Sequence, residues 1–273
     1  MEQYLGLSDF GYFFSKQIID KMDKTRYRVG KVYLTITDLE RAKCQLKEAV
    51  AEKLGGYITL SDVRSVAIAH EQPDYAKVLN NATYTFTDGM PLIWMARLWG
   101  IKENHRVSGP VFFVSLMSEN ENGLKHFFLG DTEETLAALK EKYPEVDIVK
   151  TFSPPFCEVD EFDYEGIAKM INETDANVVW VSLRAPKQDY FSARLAPMLS
   201  NGKICVDVGA AFRFALGQYK MPSKVAQKLG VIGLFWRKNS FGLLKWYFVN
   251  SFRLMYWGLD IIISRIRGKK YYQ

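Results

Sequence analysis

From Lys31 onward the chain alternates short runs of β-branched and aromatic residues with longer stretches of helical character, and few folds accommodate that order. The β-type runs are Val32–Ile36, Tyr57–Leu60, Thr83–Phe86, His126–Leu129, Asp147–Val149, Val178–Val181 and Ile204–Val208. Helix candidates lie between them at Asp38–Leu54, Pro91–Trp99, Thr132–Tyr143, Tyr164–Glu173 and Asp189–Leu199. A strand that runs parallel to its predecessor needs a crossover, usually a helix, so this alternation predicts an α/β fold with a mostly parallel sheet flanked by helices. Asp131 or Thr132 can cap the helix that runs to Tyr143, with Glu133 and Glu134 in its first turn, and Pro91 suits a helix start.

At 273 residues, 48% of them hydrophobic, the chain has material for one large α/β domain, or for a domain with an appendage. The net charge of +5 suits anionic lipid or a phosphorylated ligand and is too small to argue for nucleic acid. Cys44, Cys157 and Cys205 lie far apart without ligand spacing, which fits a reducing compartment. His70, His105 and His126 are equally scattered, so no built-in metal site is expected. The first twenty residues lack a basic segment ahead of an apolar one, and no uncharged apolar run reaches the ~18 residues of a spanning helix. The expected location is cytoplasmic, peripheral on the inner face of the membrane.

The character changes after about Pro222. Drawn as one helix at about 100° per residue, Phe241 to Arg267 places Lys245, Asn250, Arg253, Asp260, Ser264 and Arg267 in one sector, together with Trp246 and Trp257. Phe248, Phe252, Leu254, Met255, Leu259, Ile261 and Ile262 lie opposite, and the segment ends in Arg265, Arg267, Lys269 and Lys270. An apolar face, tryptophans and a basic end suit an anionic membrane surface, with Trp246, Arg253, Trp257, Arg265 and Arg267 as contact residues. A terminal helix packed on the core or across a dimer would look similar. The expected organisation is a variable helical segment over 1–30, a core over 31–230 and an appendage over 231–273.

In open parallel sheets ligands bind beyond the carboxyl ends of the strands. Thr59-Leu60-Ser61 closes one strand with two hydroxyls that point the same way. Thr87-Asp88-Gly89-Met90-Pro91 sets a carboxylate between a strand and a helix, where it is either a cap or a general base. Arg106 precedes a turn at Ser108-Gly109-Pro110 and suits a phosphate. Arg184-Ala185-Pro186-Lys187-Gln188-Asp189 offers Lys187 as a point charge and Gln188 as donor and acceptor. Val208-Gly209-Ala210-Ala211-Phe212 is a small-residue junction whose backbone N–H groups suit a phosphate.

Together and in this order these segments resemble the WecG/TagA/CpsF glycosyltransferase family, from roughly Lys31 to Leu234. The resemblance is carried by Thr59, Asp88-Gly89, Arg106-Val107 with Gly109, Phe128-Leu129-Gly130, Ala185-Pro186-Lys187-Gln188, Val208-Gly209-Ala210-Ala211-Phe212, Gly217 and Pro222. It implies a Rossmann-like core of the type termed GT-E and a C-terminal appendage that docks on the membrane. The implied reaction moves an N-acetylmannosamine-type or related sugar from a UDP-sugar to an undecaprenyl-diphosphate-linked sugar, with inversion and without a cofactor or metal. Asp88 would be the general base and Thr59 would place the reacting groups. Ser61, Arg106, Lys187, Gln188, Gly209 and Ala210 would contact substrate. A homo-oligomer is compatible with this reading.

Several positions depart from the family pattern: Ser61 stands for asparagine, Arg184 for glycine, Asp189 for glutamate and Arg213 for aspartate. The stretch Gly230 to Trp236 lacks the family's glutamate, and its arginine has moved to Arg237. Those changes suggest the alternative of a non-catalytic scaffold in polysaccharide assembly. A nicotinamide-dependent oxidoreductase is disfavoured because no GxGxxG follows the first strand.

Overall fold

The computed structural model describes residues 25–119, 123–220 and 240–271, with only the backbone path of the helix at 240–250. The Gly230–Trp236 stretch, Pro222, Arg237, the Trp246 side chain and most of the 1–30 segment lie outside the described residues.

A hairpin of β1 (Arg26–Val29) and β2 (Val32–Thr35) opens the described chain, and α1 (Leu39–Ala51) follows. Then come β3 (Gly56–Ser61), α2 (Val63–Glu71), α3 (Pro73–Asn81), β4 (Tyr84–Thr87), α4 (Met90–Trp99) and α5 (Gly109–Met117). The second half alternates β5 (His126–Gly130), α6 (Glu133–Lys142), β6 (Ile148–Phe152), α7 (Tyr164–Asn172), β7 (Val178–Ser182), α8 (Lys187–Leu195), β8 (Ile204–Asp207) and α9 (Ala211–Ala215). The last described helix is α10 (Ser240–Ile266).

Strands β3 to β8 form one parallel six-stranded sheet in the order β4-β3-β8-β7-β5-β6, the architecture expected from the alternation. The period of two along buried strands decides which side each residue serves. In β7, Val178 and Trp180 enter a core with Phe112, Phe113 and Phe212, under α1, α5, α6 and α9. Val179 and Val181 face the other way, into a core with Phe162, Ile171, Phe191 and Leu195. A third cluster joins the hairpin to α2, α3, α4 and α10 through Tyr27, Leu34, Tyr75, Trp99, Trp257 and Ile261.

The structure departs from expectation at helices α2, α3 and α5, which no candidate covered, and at the bounds of α8. Helix α8 begins at Lys187 and stops at Leu195, because Ala196-Pro197-Met198 tightens into a 3₁₀ turn around its proline. Helix α5 is apolar along most of its length and buries Phe112, Phe113 and Leu116, so it has no polar face that would betray it as a helix.

Helix α10 lies along α4 and α2. Trp257 is 1% exposed and its indole covers Gly30, whose φ of +59° turns the hairpin. Arg253 pairs with Glu71, Arg28 pairs with Asp260 at 2.8 Å, and Arg265 donates to the Leu98 carbonyl at 2.5 Å. This corrects the expectation for Trp257, which is buried in the protein rather than presented to a membrane; Arg253 and Arg265 likewise have protein partners. Arg267 is exposed. Among the described residues no helix is long and apolar enough to cross a membrane.

Strand β5 ends at Gly130, with φ +112°, and a Cβ there would sit 2.6 Å from the Ser182 carbonyl of β7. Gly130→Ala should therefore cost about 2–3 kcal/mol of stability, read from urea unfolding, through contact and backbone strain together. An unchanged midpoint would show that the ends of β5 and β7 can part without penalty.

Candidate active site

Beyond the carboxyl ends of β3, β4 and β8 lies a cleft of about 300 Å³, lined by Leu60, Asp62, Asp88, Arg106, Gln188 and Gly209 among others. The cleft is made by loops that continue the sheet's hydrogen bonding. The Asp88 N–H donates to the Ser61 carbonyl at 2.8 Å, and the Val107 N–H to the Thr87 carbonyl at 2.9 Å. Asp88 and Arg106 are thus delivered side by side from two consecutive turns.

Arg106 donates from Nε to Asp88 Oδ1 at 3.0 Å, with a second guanidinium nitrogen at 2.8 Å from the same oxygen. The Asp88 side chain is 24% exposed, so the pair faces the cleft without being free in water. Burial raises the Asp88 carboxyl above the usual aspartate range, Arg106 pulls it back, Asp62 adds repulsion, and the Gly109 N–H lowers it a little. The balance leaves a carboxyl more basic than an ordinary aspartate, which is what proton abstraction near neutral pH requires.

The opposite wall comes from the β7–α8 and β8–α9 loops. Gln188, 3% exposed, accepts the Gly209 N–H on Oε1 at 3.0 Å, and Ser182 Oγ donates to the Gly209 carbonyl at 2.6 Å. Gly209 has φ +60°, a conformation that favours glycine. Its N–H is engaged by Gln188, so it does not stand free for a phosphate as the small-residue junction suggested. Ala210 also lines the cleft.

Three expected site residues sit elsewhere. Thr59 and Ser61 are 0% and 1% exposed, their hydroxyls meet no hydrogen-bond partner among the described residues, and neither lines the cleft. Leu60 and Asp62 reach the cleft from this strand end in their place. Lys187 turns away: its ammonium donates to the Cys157 carbonyl and lies 5.0 Å from the Phe156 and Phe162 ring centres.

Sequence reasoning passed over Asp62, Arg64, Arg184 and Asp207, all of which line the cleft. Asp62 caps α2 by accepting the Ser65 N–H at 2.9 Å, a spacing visible in Asp62-Val63-Arg64-Ser65. Arg184 holds φ +66°, a conformation that suits the glycine for which it stands in the family pattern. Among the described residues no group of three or more His, Cys, Asp or Glu side chains is placed to hold a metal ion.

The family model described as glycosyl transferase WecG/TagA/CpsF family matches residues 27–265. Two curated relatives share one name, N-acetylglucosaminyldiphosphoundecaprenol N-acetyl-beta-D-mannosaminyltransferase. The protein from Bacillus spizizenii strain W23 is 24% identical over 171 residues, 61% of this chain and 64% of the relative. That from Bacillus subtilis strain 168 is 22% identical over 179 residues, 64% of this chain and 68% of the relative. The match thus spans under two thirds of the first relative's length.

Removing the guanidinium takes away an influence that lowers the Asp88 pKa. In Arg106→Met the Asp88 carboxyl should titrate at higher pH than in the wild type, followed by carbon-detected NMR of the side chain. A shift to lower pH would mean that Arg106 does not govern this carboxyl.

Proposed function

The chain belongs to the glycosyl transferase WecG/TagA/CpsF family, and from that membership we propose that it moves a hexose, N-acetylmannosamine or a close relative, from a UDP-sugar to an undecaprenyl-diphosphate-linked acceptor in surface polysaccharide synthesis. The relatives' names supply the acceptor class and the sugar. The observation that carries the reading is Asp88: a carboxyl raised by burial, held by Arg106, at the mouth of a cleft on the carboxyl edge of a parallel sheet.

In this reading Asp88 takes the proton from the acceptor hydroxyl as that oxygen attacks the anomeric carbon. The bond from the anomeric carbon to the diphosphate oxygen breaks on the far side, and UDP leaves with the electron pair, so the configuration inverts. Arg64, Arg106 and Arg184 line the same cleft and take up the charge that develops on the diphosphate. Gln188 and Gly209 shape the wall against which the nucleotide lies. Thr59 and Ser61, away from the cleft, support it from below. No step of this reading draws on a metal or cofactor.

A polyprenyl acceptor resides in a membrane, and α10 presents a surface for one. Phe252, Met255, Tyr256, Leu259, Ile262, Ile263 and Ile266 are all more than 40% exposed and recur at three- and four-residue spacing along one stripe. Exposed Arg267, Lys269 and Lys270 follow at its end. We place this stripe in the interfacial zone of an anionic membrane on its cytoplasmic face, with the basic end at the headgroups.

Acceptor-dependent UDP release should fall about 10²- to 10⁴-fold in Asp88→Asn while UDP binding persists. Release that survives the change moves the base elsewhere, and UDP binding without turnover on any acceptor favours the scaffold. Replacing Leu259 and Ile266 together by serine should sharply reduce pelleting with vesicles rich in phosphatidylglycerol. Equal pelleting of this variant and the wild type would remove the stripe from membrane binding.

A further inference from the structure

At the wall of the cleft two buried carboxyl groups come together, and among the described residues neither is ion-paired. Asp207 ends β8 at 0% exposure, and Asp189 lies in the first turn of α8 at 2%. The Tyr75 hydroxyl, from α3, donates to Asp189 Oδ2 at 2.5 Å, and the Ser192 hydroxyl donates to Asp207 Oδ1. Ser192 lies one turn after Asp189 on α8, so its bond to Asp207 brings the two carboxyls onto one face of the helix, where each acts on the other, and Asp207 Oδ2 receives no hydrogen from any side chain or backbone N–H among the described residues. Two carboxylates are both acceptors, so this contact is a hydrogen bond only when one of them carries a proton. Each carboxyl accepts one hydroxyl, and Asp207 Oδ2 is the oxygen left without a hydrogen, which makes Asp207 the natural donor: its acid O–H points to the Asp189 carboxylate.

Arg64, Arg106 and Arg184 line the same cleft as Asp207, but the titratable groups that act on the pair are all acids. Tyr57 on β3, Asp62 at the start of α2, Cys205 on β8 and Tyr190 on α8 act electrostatically on the pair or are acted on by it. None of these can neutralise a second negative charge. A proton is the cheapest remedy in a dry site, as in other buried carboxyl dyads.

The pair also stands at a junction. Asp189 follows Gln188 in the chain, and Asp207 precedes Gly209 by two residues, while Gln188 Oε1 and the Gly209 N–H are themselves bonded at 3.0 Å. Gln188, Asp207 and Gly209 all line the cleft. We infer that Asp207 and Asp189 form a proton-sharing carboxyl clamp that joins the β7–α8 and β8–α9 loops and so positions Gln188 and Gly209 for the nucleotide part of the donor. The inference depends on the reading of the cleft as a nucleotide-sugar site. The two aspartates are positioning residues; neither enters the sugar transfer itself.

The sign of the pH dependence follows from burial, which pushes Asp189 up to about 7 and raises Asp207 well above the ordinary 3.8. A carboxyl whose folded pKa is raised contributes stability that is complete below the unfolded value and is lost as pH rises through the folded one. Asp207 holds the shared proton, so the clamp should loosen on the alkaline side as Asp207 gives it up. Asp207→Asn replaces the acid proton by an amide hydrogen, which donates to Asp189 at any pH while the amide oxygen still accepts from Ser192.

The test compares wild type and Asp207→Asn by UDP titration calorimetry and by thermal unfolding, each at pH 7 and pH 9. Wild type should bind UDP about tenfold more weakly at pH 9 than at pH 7, and the variant should change by less than about threefold. The unfolding midpoint should likewise fall with pH more steeply in wild type. Identical pH slopes in the two proteins would overturn the clamp. So would the absence, in wild type at pH 7, of the infrared carbonyl band of a protonated carboxyl, a readout that serves even where the variant fails to fold. If neither protein binds UDP, the donor-site reading falls, and the unfolding profiles and infrared band still decide the clamp.

Discussion

The parallel pairing of β3 between β4 and β8 is the constraint on which the cleft depends. Ser61 registers with Thr87 on one side, so β3 and β4 stop together, and Ile58 with Val206 on the other, so β8 stops just short of them and its loop continues the edge. Hydrogen bonding does not stop with them: Asp88, Val107 and Val208 each donate a backbone N–H to the end of a neighbouring strand, at 2.8, 2.9 and 3.0 Å. The loops that hold Asp88, Arg106 and Gly209 are therefore set by main-chain bonds before any side chain contributes. A slip of one residue in β4 would reverse every side chain it carries and shift the backbone that leads to Asp88.

How much of this was legible depended on whether a residue's role was written locally. Asp88, Arg106, Gln188, Gly209 and Ala210 stand at junctions marked by glycine, proline or small residues, and the sheet brings them to one cleft. The parallel sheet itself was readable because its buried strands are short apolar runs bounded by such junctions. Thr59 and Ser61 show the limit of the method. Alternation tells that both face one side of β3, but which side opens on the cleft depends on the neighbouring helices. Lys187 shows another: a four-carbon stem at a helix start reaches whatever carbonyl the fold brings near, here that of Cys157, thirty residues earlier. Asp207 was visible as one charge inside Ile-Cys-Val-Asp-Val, a pattern that apolar burial alone does not explain.

The electrostatics of the cleft are layered. Arginines 64, 106 and 184 line its walls, while Asp88, Asp189 and Asp207 all have carboxyls raised chiefly by burial. The first of these has a guanidinium within hydrogen-bond reach and the other two have hydroxyls and each other. An ion pair and a shared proton are the two ways a protein can keep carboxyls out of water, and they suit different tasks. A guanidinium leaves its carboxylate charged and able to take a proton. A shared proton removes a charge and turns repulsion into a tie between two loops.

Helix α10 inverts the usual arrangement of an amphipathic helix on a globular domain. Its 27 residues carry Arg253, Trp257, Asp260 and Ser264 along one sector, and this mixed, partly polar sector is the one that docks. The anchors explain why. Trp257 fits over Gly30, where the absence of a side chain leaves room for the indole, and the ion pairs to Arg28 and Glu71 fix the helix's rotation about its own axis. With rotation fixed, the remaining side must face outward, and that side is Phe252, Met255, Leu259, Ile262 and Ile266. At about 25 cal/mol per Å² such a stripe is costly to leave in water, and a helix that already has its protein contacts gains nothing from it unless a second apolar phase covers it. Among the described residues no helix is long and apolar enough to cross a membrane, and the charges that dock α10 would have to leave their partners to enter hydrocarbon. In the membrane reading proposed for this stripe, an orientation flat against the surface would satisfy both sides of the helix at once.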